Sequence, residues 1–155
     1  MVYKLSLQWI RWINAKKNMK EILNNEFANV SYDIASNAII TVWKKPSTTD
    51  AYRLIFSAIL NKIKEHKAEA FISDIFQQGM VGTENRLWIQ NDILPKAYAA
   101  GLKKIALIAP NDVFSRFYVE SVKNGVTEKE MNIGLQYFQD LISAQAWVLD
   151  QELAI

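Results

Sequence analysis

From Ala38 to Ala109, short β-rich runs alternate with longer segments whose apolar residues recur every three or four positions. Few folds other than a layered α/β sheet satisfy that alternation, because each amphipathic helix must bury its apolar stripe against a layer of strands. At 155 residues, half of them apolar, the chain is the size of one domain with a sizeable core.

The runs 38–43, 70–75 and 104–109 read as strands. The last has an uninterrupted Ile-Ala-Leu-Ile centre that suits a strand covered on at least one full face. Upstream, Val30, Tyr32 and Ile34 alternate with Asn29, Ser31 and Asp33, and the turn residues Ser36 and Asn37 predict a hairpin over 27–44. Ser47 with Asp50 three residues on has the form of a capping box. It opens a helix over 48–66 that turns Tyr52, Ile55, Phe56, Ile59, Leu60 and Ile63 inward. Thr83 is the expected cap of a second helix, 84–100, which Pro95 should kink or restart with Asp92 as the new cap. A third helix, 112–124, begins at Asn111 or Asp112, faces Val113, Phe114, Phe117, Tyr118 and Val122 inward, and stops at Gly125. A fifth strand carries Met131, Ile133, Leu135 and Tyr137, and a last helix, 139–150, buries Leu141, Ala144, Val148 and one face of Trp147. The predicted class is α/β: a mixed five-stranded sheet that starts with a β-hairpin, continues through parallel βαβ crossovers and packs with about four helices.

Charge divides the chain unevenly. Residues 1–20 hold Lys4, Arg11, Lys16, Lys17 and Lys20 and no acid, leaving 13 basic and 16 acidic groups in the remainder. Residues 1–20 therefore read as a basic N-terminal extension, with Val2, Leu5, Trp9, Trp12 and Ile13 on one helical face, suited to weak peripheral contact with a membrane or a partner. Residues 21–155 read as the single domain. That body is net acidic, against sequence-independent nucleic-acid binding. Zero cysteines exclude thiolate chemistry and disulfides and suit a reducing compartment, so the expected location is cytoplasmic; no apolar run approaches transmembrane length.

Enzyme signatures are missing: there is no phosphate-binding glycine loop, no nucleophile elbow and no zinc-binding helix motif. No catalytic residue, metal ligand or cofactor is assigned. The lone His66, beside Lys62, Lys64 and Glu65, reads as a solvated helix terminus. A ligand site, if the fold builds one, belongs at the carboxyl ends of the central strands, where Asp74 ends the 70–75 run. There the helix start at Thr83 directs amides toward an anion, Arg86 offers a charge-assisted bond, and Trp88 and Trp43 provide an apolar wall. Asp74 would orient the loop or Arg86; its structural reading is an acceptor for loop amides near residues 79–83.

The strand ending at Asp74, the stretch from Trp88 to Gly101 followed by Lys104-Ile-Ala-Leu-Ile108, and the closing Phe138-x-Asp140-x-x-x-Ala144-x-x-Trp147 resemble the SpoIIAA-like branch of STAS domains over about residues 25–150. The resemblance implies a bacterial, non-catalytic interaction or regulatory module with a protein partner or self-association, a homodimer included. In the sporulation regulators of that superfamily a serine at a helix start is phosphorylated to switch partner binding; the corresponding loop here, residues 74–83, has no serine. The alternative the residues leave open is a small-molecule or lipid-binding domain with its pocket at the carboxyl ends of the strands.

Overall fold

The computed structural model describes residues 18–150. The basic amphipathic segment expected near the N-terminus lies, through residue 17, outside the described residues. The expected boundary between residues 20 and 21 falls inside a strand, because β1 runs Met19–Asn24.

Six strands, and not five, form one mixed sheet: β1, β2 (Ala28–Asp33), β3 (Ala38–Trp43), β4 (Ala70–Asp74), β5 (Lys104–Ile108) and β6 (Gly134–Phe138). Their spatial order is the order of the chain. β1, β2 and β3 pair antiparallel as a meander, and β3 through β6 pair parallel. The extra strand straddles that expected boundary, and a register irregularity between Glu21 and Leu23 breaks its two-residue period. The last strand starts later than its alternation predicts: Met131 and Ile133 are buried but precede it.

Among the described residues, four helices complete the fold. α1 is Thr49–His66, capped by Thr48, whose hydroxyl accepts from the Ala51 amide at 3.2 Å. The expected capping pair Ser47 and Asp50 is thereby displaced by one residue. α2 covers residues 83–99, α-helical over Thr83–Trp88, π-helical over Ile89–Ile93 and α-helical again over Leu94–Ala99. Pro95 does not restart it with Asp92 as cap: one wide turn, closed by the Leu94 amide on the Ile89 carbonyl, precedes the proline and takes up its ring and missing donor.

α3 is Val113–Glu128 and α4 Leu141–Leu149, capped by Asp112 on the Ser115 amide (2.9 Å) and Asp140 on the Ser143 amide (2.7 Å). Gly125 does not end α3 but lies inside it. A Cβ there would stand 2.8 Å from Cγ of Gln90, so the glycine permits close approach of α3 to the π turn.

The sheet divides the core in two by strand alternation. α1, α2 and α3 cover one face, over Val30, Ile39, Trp43, Phe71, Ile105 and Leu107. On this side the hydroxyls of Tyr52 and Tyr118 meet at 3.2 Å, and burial pushes the Tyr118 hydroxyl up to about 12. α4 alone packs on the other face, where Ala144 and Val148 meet Ala38, Ile40, Ala70, Ile72, Ala106 and Ile108. Lys104 secures it: its ammonium donates to the Trp147 and Asp150 carbonyls at 2.9 and 2.8 Å, as a cation at a helix C-terminus should. No helix among the described residues is long and apolar enough to cross a membrane.

Candidate functional site

Thr83 and Arg86 come together at the start of α2, on the carboxyl side of β4, where crossover helices begin, whereas Trp88 of the same helix turns toward α1. Thr83 does not cap the helix. Gly82 holds that position without a side-chain bond, and the Thr83 hydroxyl instead accepts from Nη2 of Arg86 at 3.0 Å. The Arg86 guanidinium also donates to the Val81 carbonyl and lies 4.5 Å over the Phe117 ring of α3. Two of its five donors are thus engaged by neutral acceptors, and it forms no ion pair with an acid among the described residues.

Trp88 is partly buried. The Arg53 guanidinium sits 5.0 Å over its ring and reaches on to Asn85 and Glu84, tying α1 to α2. Trp43 is 1 % exposed, stacked on Tyr52 at 5.5 Å and close to Phe56, so it is core and presents no wall to a crevice.

Asp74 shares its side of β4 with Ala70 and Ile72, which pack under α4. It therefore lies across the sheet from Arg86 and cannot orient it. Its carboxylate accepts from the Phe76 amide at 3.1 Å, a tighter local turn than the expected bond to residues 79–83. Partial burial raises its pKa above the ordinary carboxylate value, opposed by that hydrogen bond. Between the unfolded and the raised folded pKa the folded state holds more protons, so this group's contribution falls as pH rises through that window. Asp74→Asn keeps the acceptor and removes the charge. Discounted for solvent screening, the expected result is a melting temperature about 1–2 °C higher at neutral pH, with no difference at pH 3, checked by calorimetry at both.

Sequence reasoning missed the groove itself. An opening of about 240 Å³ runs between α2 and α3, lined by Thr83, Arg86, Leu87 and Gln90 on one side and Phe117, Glu120, Ser121 and Asn124 on the other. Gln90 braces its floor, donating to the Ser121 carbonyl and hydroxyl at 2.6 and 2.9 Å. Val113, Phe114 and Phe117, expected to face inward, are instead 69, 62 and 59 % exposed; of these Phe117 lines the groove, with Leu87, 49 % exposed, opposite it. The signal was present in the sequence: the apolar residues of α3 span more than the arc of roughly 100° that one core stripe requires.

The void beneath α1, α2 and α3 measures about 30 Å³, room for one water, with an apolar lining. At the carboxyl end of β3 and β4, four buried polar atoms have no hydrogen-bond partner among the described residues: the hydroxyls of Thr41 and Ser73, which sit opposite one another in the ladder, Nε1 of Trp43 and Oε1 of Gln78. His66 is no free terminus, since its ring stacks on Tyr32 at 4.0 Å. No protein-family model, curated protein or solved structure matches the chain.

Proposed function

We propose that this domain is a non-catalytic interaction module of a regulatory kind that engages a protein partner through the α2–α3 groove. The observation that carries the reading is a groove in which the exposed apolar side chains of Leu87 and Phe117 flank Arg86, which forms no ion pair among the described residues, on a domain whose void beneath α1, α2 and α3 is too small for a metabolite. Such a surface has the parts of a binding centre: an aromatic anchor, Phe117, that loses water on contact, and charges of both signs, Arg86 and Glu120, that a partner's polar groups can meet. The resemblance to SpoIIAA-like STAS domains, which act by binding, supports the same role.

The test is native mass spectrometry of freshly purified full-length protein, wild type beside Phe117→Asp and Leu54→Asp. Leu54 is 61 % exposed on α1, away from the groove, and serves as the control. A protein partner held in defined stoichiometry by wild type and Leu54→Asp, and lost at least tenfold by Phe117→Asp, is the expected result. Equal retention by all three would overturn the assignment of the groove.

A second reading, a small-molecule or lipid binder, is favoured by the four unpaired polar atoms at the ends of β3 and β4. It requires the loop after Asp74 to lift from Pro46, whose ring lies where a Cβ on Gly79 would be. A small adduct retained in the same spectra would favour it.

A further inference from the structure

The two edges of the described sheet are built differently. β1 carries Lys20 and Glu21, both exposed, and the irregularity between Glu21 and Leu23, which are devices that discourage another strand from pairing. β6, with the sequence Gly-Leu-Gln-Tyr-Phe, has no charge, no proline and no bulge. Its Tyr137 is 58 % exposed.

The backbone of β6 has a defined open side. The Gly134 amide donates to the Lys103 carbonyl at 2.9 Å, and the Phe138 carbonyl accepts from the Ala109 amide at 3.0 Å, so residues 134, 136 and 138 spend their backbone groups on β5. By alternation, Leu135 and Tyr137 direct N–H and C=O away from the sheet, where no strand follows among the described residues.

We infer that β6 is a self-association edge, and that its occupant is β6 of a second copy of this chain, paired antiparallel about a two-fold axis at Gln136. This inference is independent of the groove reading. The strand is its own complement in that register. Leu135 meets Tyr137 of the second copy twice, as the hydrogen-bonded pairs, which uses all four outward groups of residues 135 and 137 on each strand. On the other face Gly134 stands opposite Phe138 of the second copy, and Trp147 of the same chain already covers the glycine, 3.5 Å from where its Cβ would be. Gln136 meets Gln136, so no charge is buried or opposed. Isologous pairing of this kind yields a closed dimer with one continuous twelve-stranded sheet.

The chain has no cysteine, so one introduced thiol reports one place. Gln136 is exposed, and the axis puts its two copies in the non-hydrogen-bonded pair, where Cα atoms lie about 4.5 Å apart, within disulfide range. Full-length Gln136→Cys should cross-link to a doubled mass under mild oxidation, while Leu54→Cys should not. Sedimentation should give wild type twice the monomer mass. Gln136→Lys and Gln136→Glu should each halve it with unchanged circular dichroism, and a one-to-one mixture of the two should restore it. Wild type sedimenting as a monomer at high micromolar concentration, or Gln136→Cys cross-linking no faster than Leu54→Cys, would overturn the inference.

Discussion

Trp43→Ala is expected to lower the stability of the domain by about 3–5 kcal/mol, in the absence of any ligand. The indole is 1 % exposed and packs on Tyr52 and Phe56, so its removal leaves a cavity between β3 and α1 that neither element can collapse to fill. A domain of this size has about 5–15 kcal/mol in total, and the loss should bring a fall in melting temperature of roughly 10 °C or more. Urea unfolding followed by circular dichroism measures it directly. A change below about 1 kcal/mol would mean that the tryptophan is peripheral and would return it to the candidate site.

The second large effect concerns Gly125, where two principles oppose each other. Alanine in place of an exposed helical glycine stabilises by about 1 kcal/mol. Here the new methyl would lie 2.8 and 3.2 Å from Cγ and Cβ of Gln90 and 3.3 Å from Cδ1 of Leu94, and Gln90 is pinned by its two bonds to Ser121. Overpacking should win. Gly125→Ala is expected to cost about 1–2 kcal/mol, and Gly125→Val about 3 kcal/mol, by forcing α3 from the π turn. The double variant Gly125→Ala/Gln90→Ala removes the obstacle and should recover most of the loss, a coupling that a chemical-denaturation cycle resolves. A stabilised Gly125→Ala would show that the helices have room to part.

Most of the architecture was legible because the core is periodic. The hairpin from Ala28 to Trp43, the inward series of α1 and the uninterrupted strand β5 each declare their own type. What periodicity cannot carry is which of two faces a side chain takes. Val113, Phe114 and Phe117 sit on α3 at helical spacing, as Tyr118 and Val122 do, and the spacing alone does not say which arc meets the sheet. Asp74, at a strand end, and Arg86, in the first turn of the helix that follows, were expected to share one crevice, whereas strand parity sends Asp74 under α4 and the path of the chain sends Arg86 to the other side. Pro95 and Gly125 each carry a strong local signal for interruption. Both are absorbed by the same feature, a π turn packed against a helix without a Cβ, which only tertiary contact creates.

The sheet is laid down in the order of synthesis, and this shapes how the chain can find its structure. Each strand pairs with its immediate predecessor, so every added ladder closes one hairpin or one crossover and no strand has to thread between two that are already joined. Loop-closure entropy is met in small, separate steps, and the contact order stays low for a fold with three parallel pairs. The meander of β1 to β3 is the most local part and a natural nucleus. As the chain leaves the ribosome, each partial structure exposes a single growing edge, which the next strand covers as soon as it emerges.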